Sequence, residues 1–425
     1  MYKLASAAVL LAAVASARPA WNSPPSGAPF HESAVVSSAV SSVVPSASAS
    51  ASVLPSYASS GFAAPTGIYT NSSKGFMFPL SNGFPDIKNP SAQLNKIQQQ
   101  AGGTLPNGTP PPSISGDSAV SLGFVAFNEL SEVAFFSELI QNITVNKPGF
   151  TAEDIPIDQD LALRTLKVVL AQEELHELNA NTAFNKFTGK TILPCTYRFP
   201  VNNFIEAIAL ASTFTDVVLG TLPDIQTLFA TSGDNGLIRG VGSVIGQEGE
   251  QNGFYRSILG KVPSQLPFLT GSARDFAFSA ILQNFVVPGS CPSQSLLEQG
   301  VNGGAGLTEF GILNVLTKDL SLEDVKADFS IQVVDGSNTK DYYESHKSDK
   351  LFVTYINQQN VPVSEPIEDV TFSDGAIHFK ALFPGQSQFL NGLTIAAVTT
   401  SDGPFTSPDD VADVTLFGPG LIEIN

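Results

Sequence analysis

The residues best suited to chemistry are carboxylates and one imidazole at helical spacing. The segment Glu173-Glu174-Leu175-His176 contains Glu-x-x-His, whose two end residues project from the same face of a helix. Such a pair offers a carboxylate oxygen and an imidazole nitrogen to one metal ion, a mixed donor set that suits iron, manganese or zinc. The candidate metal ligands are Glu129, Glu132, Glu173, His176, Glu248 and Gln251, and the amide oxygen of Gln251 is the weakest donor among them.

Long helices are needed to bring these segments together. Between Asp117 and Val287 the apolar residues recur at helical spacing. The predicted helices cover about 118–143, 158–187, 201–222, 236–259 and 272–285, and the third is expected to stop at Pro223 because proline has no N–H to donate. These residues, with their flanks, form a predicted helical domain over 116–292.

The C-terminal part of the sequence has a different pattern. Over 306–425, short alternating runs of apolar and polar residues are separated by Gly, Pro, Asn and Asp, which is typical of strands and turns. The expected fold is therefore mainly α, with four bundled helices and a fifth, followed by a β-rich, sandwich-like C-terminal domain.

Together these segments resemble a known family. The resemblance rests on five stretches, namely Phe127-Asn128-Glu129-Leu130-Ser131-Glu132, Gln172-Glu173-Glu174-Leu175-His176-Glu177, Thr215-Asp216-Val217-Val218-Leu219-Gly220, Tyr255-Arg256-Ser257-Ile258-Leu259-Gly260 and Gly289-Ser290-Cys291-Pro292. Residues 123–292, which contain them, are similar to the ferritin-like domain of a fungal family of secreted stress-response and late-sexual-development proteins, which are related to plant desiccation-related proteins. The resemblance implies a ferritin-like four-helix bundle, in which two helices each supply a Glu and two supply Glu-x-x-His to a pair of metal ions.

The sequence departs from that ligand pattern at two helices. Where the metal-binding relatives have a Glu on the third helix, this chain has Thr215 followed by Asp216. On the fourth helix, Gln251 occupies the position at which the second His is expected. Of the four histidines only His176 lies in the predicted bundle, so one chain cannot supply two imidazoles. Glu206 lies more than two helical turns before Thr215, too far to replace the missing Glu.

Two hypotheses follow from the degenerate ligand set. The leading one is a secreted or wall-associated ferritin-like protein of stress response or sexual development, without turnover or cofactor, in which the buried carboxylates pair with each other and with protonated His176. The alternative is a metalloprotein with one or two iron or manganese ions and oxidase or metal-sequestering activity. A third interpretation makes 306–425 a module that binds cell-wall polysaccharide. A homo-oligomer that supplies ligands across its interface stays open as well.

The N-terminus predicts secretion to the extracellular space or cell wall. Residues 1–17 have a basic start, an apolar run from Leu4 to Val14 and the small-residue end Ala15-Ser16-Ala17, as in a signal peptide cleaved after Ala17. The apolar run is shorter than the roughly 20 residues of a spanning helix, and no transmembrane segment is predicted. Residues 18–115 are expected to be a low-complexity spacer rich in Ser, Ala and Pro.

Charge and cysteine content constrain the partners. With 21 Lys and Arg against 39 Asp and Glu, a net charge of −18 and no basic block, nucleic acid is excluded as a partner. Cys195 and Cys291 are the only two cysteines, and an oxidising route would let them form a disulfide. Asn71, Asn107 and Asn142 begin N-x-[ST] sequons and are candidate glycosylation sites.

Overall fold

A computed structural model describes residues 75–333, 338–346, 350–373 and 375–424. The predicted signal peptide, the first part of the predicted spacer and the sequon at Asn71 lie outside these residues. In the described part a helical region is followed by a β-rich region, as the sequence predicts.

The helical region contains the five predicted helices and two more. Its elements are α1 (Ala92–Ala101), α2 (Gly116–Thr144), α3 (Gln159–Thr188), α4 (Phe204–Thr231), α5 (Ile238–Ile258), α6 (Arg274–Asn284) and α7 (Gln294–Gln299). The side chains of Ser115, Asp158 and Asn203 accept hydrogen bonds from backbone N–H groups and so begin α2, α3 and α4. Helix α2 packs on α3, α4 packs on α5, and α2 also contacts α4.

The predicted end of the third helix at Pro223 is wrong, because α4 continues through this proline to Thr231. A proline inside a helix removes one hydrogen bond and costs about 3 kcal/mol. The carbonyl that loses its helical donor is that of Leu219, four residues earlier. The neighbouring carbonyl of Gly220 accepts a hydrogen bond of 3.2 Å from the Ser272 N–H, outside the helix. Beyond the proline, Ile225 and Phe229 are buried in the core, and their packing keeps the chain helical.

The described part of the predicted spacer, residues 75–115, differs from a low-complexity chain. It contains α1, which packs on α3, with Ile97 and Ala101 against Ala171. Phe84 is also fully buried in the main core. The Ser- and Ala-rich composition does not extend to these residues, whose aromatic and long aliphatic side chains can be buried.

The β-rich region consists of two antiparallel four-stranded sheets. The strands are β1 (Ile312–Val315), β2 (Asp324–Gln332), β3 (Phe352–Asn357), β4 (Val363–Pro366), β5 (Glu368–Ser373), β6 (Ala376–Pro384), β7 (Gly392–Thr399) and β8 (Thr415–Ile424), with the short helices α8 (Thr339–His346) and α9 (Pro408–Ala412) between them. One sheet has the order β1-β2-β6-β5 and the other β4-β3-β7-β8. Both contribute side chains to one core, in which the ring of Tyr355 meets that of Phe383.

Strand β7 joins this β-rich region to the helices. Successive side chains of a strand point to opposite faces. Ile395 and Ala397 belong to the core shared with the helices, whereas Ala396 and Val398 belong to the core between the sheets. Because β7 is buried on both faces, the helical and β-rich regions share a continuous interior.

Cys195 and Cys291 form the predicted disulfide, with their Cα atoms 4.3 Å apart. It ties the loop after α3 to the loop after α6.

Two helices, α2 and α4, are long and apolar enough to cross a membrane by length and composition. The prediction from sequence, which includes no transmembrane segment, does not single out these two stretches. Most of the apolar stretch of each helix is buried inside the protein, as in the core helices of soluble proteins.

Two glycine substitutions test the packing of α4 and α5. A Cβ added to Gly220 would overlap the carbonyl oxygen of Thr270, so Gly220→Ala should lower the free energy of unfolding by roughly 1–3 kcal/mol. On α5, no atom of the described residues lies within 4 Å of a Cβ added to Gly246. Gly246→Ala should stabilise by up to about 1 kcal/mol, because alanine has the higher helix propensity. Urea denaturation of both variants measures these values, and similar changes in both would contradict the packing described.

Candidate metal centre

Three helices bring four of the six candidate ligands together. Helix α2 supplies Glu129, α3 supplies Glu173 and His176, and α5 supplies Glu248. One donor atom from each residue can be chosen so that all four lie within 4.8 Å of one another. A single cation between them would be reached by three carboxylates and one imidazole, and we call these four residues the Glu/His cluster.

The imidazole of His176 lies among the three carboxylates. Its Nδ1 is 2.8 Å from Glu173 Oε2, and 3.7 Å from both Glu129 Oε2 and Glu248 Oε1. The three glutamates are almost completely buried, whereas the His176 side chain is 16% exposed. The cluster is therefore enclosed on the glutamate side and reaches solvent beside the histidine.

Several carboxylate oxygens in the cluster have no hydrogen-bond partner. Among the described residues no donor reaches Glu129 Oε2 or either carboxylate oxygen of Glu248, and all three atoms are buried. An ionised carboxylate in such a place is costly unless a positive charge or donors compensate it. The lone pairs of these oxygens are thus free for a cation or a proton.

Burial and mutual repulsion favour the neutral acids when no cation is bound. Burial raises the pKa of Glu129 to about 7, partly offset by His176. Burial also raises the pKa of Glu248 well above its ordinary value, and the charges of Glu129 and Glu173 raise it further. Burial alone would lower the pKa of His176, but the charge of Glu173 and the contact with Glu129 outweigh it and raise this pKa.

The other two candidate ligands have different partners. Glu132 accepts a hydrogen bond of 2.8 Å from Asn128 Nδ2, and burial raises its pKa well above the ordinary value. Gln251 donates from Nε2 to Glu173 Oε1 at 2.7 Å, while its oxygen accepts from the Tyr255 hydroxyl at 3.3 Å. Gln251 thus orients a cluster carboxylate by donating to it, and its own acceptor atom is occupied.

Helix α4 contributes no residue to the cluster. Its first turn contains Glu206, which accepts hydrogen bonds from Asn202 and Asn203 at the start of the helix. Asp216 is buried elsewhere, where its Oδ1 accepts from Asn252 Nδ2 at 2.7 Å and its Oδ2 from Gln265 Nε2 at 3.1 Å.

Asp216 belongs to a second polar network, which the sequence does not predict. Gln265 also donates at 2.8 Å to Glu423 Oε2, 158 positions later in the chain, and so connects Asp216 of α4 to strand β8. The charge of Arg256, which is buried on α5, offsets those of Asp216 and Glu423. Glu423 carries no sequence signal for this role, because its partners lie on other elements.

The buried residues of α5 all carry polar groups, although the ring of Tyr255 also stacks on Phe136 in the core. The buried residues of this helix are Glu248, Gln251, Asn252, Tyr255 and Arg256. They recur at three- and four-residue spacing, so they line one face. Polar residues at this spacing are a signal that sequence reasoning could have used, because a helix with such a face needs partners inside the protein.

Two further buried glutamates on α3 were not predicted. Glu174 accepts from Asn82 Nδ2 at 2.7 Å, and Glu177 accepts from Asn181 Nδ2 at 2.7 Å. Burial raises the pKa of Glu174 to about 7 and that of Glu177 to about 8. With Glu173 they give α3 three buried carboxylates, more than any other described helix or strand.

The two described sequons lie in different surroundings. Asn107 is exposed in the loop before α2. Asn142, near the end of α2, is only 8% exposed, so its side-chain amide packs against the protein and is a poor acceptor for a glycan in the folded state.

Comparison with protein-family models and with curated protein sequences finds no match for this chain. The family resemblance stays a prediction from sequence.

The buried glutamates of α3 predict how the stability of the metal-free protein depends on pH. The folded protein binds the protons of Glu174 and Glu177 more tightly than the unfolded chain, so their contribution is complete below about pH 4.5 and is lost as the pH rises through 7 and 8. We expect the Tm of chelator-treated protein to fall by several degrees between about pH 5 and pH 8.5. Glu177→Gln should flatten this profile and Glu153→Gln, at an exposed position, should leave it unchanged. A Tm that rises over this range would show that the glutamates are not protonated.

Proposed function

We propose that helices α2 to α5 form a ferritin-like four-helix bundle that binds one divalent iron or manganese ion through the Glu/His cluster. The proposal extends to a secreted or wall-associated protein of stress response or development that carries out no two-metal reaction. The metal-binding part is supported by the geometry of the cluster. The location and the physiological role are supported by the signal-peptide pattern and the family resemblance.

The unpaired carboxylate oxygens carry the proposal. Both oxygens of Glu248 and one of Glu129 are buried without a hydrogen-bond donor among the described residues, and they face the imidazole of His176. One histidine cannot neutralise three carboxylates. A divalent cation would supply the missing charge and take the free lone pairs, whereas the metal-free protein has to retain protons there.

The donor set fits iron or manganese. Three carboxylate oxygens and one nitrogen are hard or borderline donors, and there is no thiolate to select zinc or copper, since Cys195 and Cys291 are paired in the disulfide. The bound ion would supply Lewis acidity or one-electron chemistry. The chain itself holds the carboxylates in place, through Gln251 at Glu173, and limits solvent access to the side of His176.

The same residues favour a single ion. A second site would need acceptor atoms from α4 and a second imidazole on α5. Helix α4 uses Asp216 in another network, and Gln251 places its N–H group against Glu173, where it repels a cation. The four-residue cluster therefore fits one ion, and the two-metal form of the alternative hypothesis lacks ligands within one chain.

Metal analysis of protein purified without chelator tests this function. After incubation with Fe²⁺ or Mn²⁺ and desalting, we expect about one equivalent per chain, because the cluster has ligands for one ion. His176→Ala and Glu248→Gln should each weaken binding by at least about tenfold, since even indirect changes around a metal site cost that much. Glu250→Gln is the matched control, because this carboxylate lies on the same helix and is exposed.

The outcome also separates the two hypotheses. Stoichiometric metal that is lost in the His176 variant and kept in the Glu250 variant supports the metalloprotein. Absence of bound metal in the wild type, with a Tm unaffected by added ions, would instead support the metal-free bundle with protonated carboxylates.

A further inference from the structure

Three loop segments form an uncharged surface where the β-rich region meets the helices. They are residues 262–271 after α5, residues 357–364 from the last residue of β3 into the start of β4, and residues 385–393 before and at the start of β7, and none of them contains Asp, Glu, Lys or Arg. We call them the neutral surface. The three segments are uncharged, although the whole chain has a net charge of −18.

Hydrogen bonds hold the three segments together. The Gly271 N–H donates to the Gln358 carbonyl at 3.1 Å, and Thr270 Oγ1 donates to the Leu393 carbonyl at 2.6 Å. Asn357 Nδ2 donates to the Asn391 carbonyl at 2.8 Å. The loops therefore form one connected platform rather than three independent tips.

Large apolar side chains project from this platform into solvent. Phe268 is 67% exposed and Phe389 is 61% exposed, and Val262 and Val361 are exposed to a similar degree. Single exposed apolar residues are common, but several that share one hydrogen-bonded platform mark an interaction surface.

Phe389 is the left-handed residue of a turn, in which its N–H donates to the Gln386 carbonyl at 3.3 Å and the Leu390 N–H donates to the Gly385 carbonyl at 3.0 Å. Its φ is +51°, in the left-handed region that favours glycine or asparagine and is costly for a bulky residue. Its ring does not compensate by burial, because it is mostly exposed. The turn therefore presents this ring to solvent, where a ligand can contact it.

We propose that the neutral surface binds a neutral polysaccharide, with the rings of Phe268 and Phe389 against the C–H faces of the sugars. The electron-rich face of an aromatic ring attracts such groups. The exposed amides of Gln359, Asn360 and Gln388 provide donors and acceptors for sugar hydroxyls. An anionic partner would need Lys or Arg, and a second copy would bring together two chains of net charge −18.

Co-sedimentation of the full chain with insoluble polysaccharides tests the proposal, independently of the metal site. The probes are chitin, linear β-1,3-glucan and cellulose. We expect the wild type to bind at least one of them. The double variant Phe268→Ala/Phe389→Ala should bind at least about tenfold more weakly, as when a central aromatic contact is truncated. Phe372→Ala, at a partly exposed phenylalanine on the other sheet, is the matched control and should bind like the wild type.

A second variant separates binding from stability. Phe389→Asn places a residue that tolerates positive φ at this position, so it should keep or raise the Tm while binding falls. Three outcomes would overturn the proposal: the wild type binds none of the probes, the aromatic variants bind like the wild type, or the variants change only self-association in sedimentation velocity. The last outcome would make the surface an interface between copies of the chain.

Discussion

The burial of three carboxylates around one imidazole is the constraint on which the helical region depends. Glu129, Glu173 and Glu248 come from three helices, and none of them can be removed from water without protons, donors or a cation. Their arrangement helps to place α5, whose fully buried residues carry polar groups, while apolar side chains such as Val244 and Phe254 pack against the core. Hydrogen bonds and charge thus position this helix together with apolar packing, so its stability and its ligand geometry share contacts.

A second polar network extends this dependence to the end of the chain. Asn252 follows Gln251 on α5 and donates to Asp216, while Gln265 donates to both Asp216 and Glu423. Strand β8 is thus connected, through Gln265 and Asp216, to the helix that supplies Glu248. Together with β7, whose two faces belong to two cores, this network makes the β-rich region part of the scaffold of the Glu/His cluster. An isolated fragment of 306–425 would expose the apolar face of β7, so binding by the β-rich region is better examined in the full chain.

The same loop that closes the polar network also carries the neutral surface. Gln265 directs its amide inward to the carboxylates, whereas Phe268, three residues later, is exposed. Residues 262–271 of this loop contain no charged side chain. An uncharged, aromatic surface beside an acidic protein body favours partners whose recognition does not depend on charge.

The sequence by itself determined the helical positions that carry chemistry, since helical spacing alone places Glu173 and His176 on one face, and it predicted the β-rich end from alternation. The disulfide followed from there being two cysteines. The tertiary structure decided what depends on partners distant along the chain. Helix α4 passes Pro223 because its far end is buried, and Asn142 is hidden although its triplet matches a sequon. Gln251 donates to Glu173, and Gln265 donates to Glu423. Neither role could be predicted, because the role of a polar side chain depends on the groups that surround it in space, and local sequence spacing does not identify those groups.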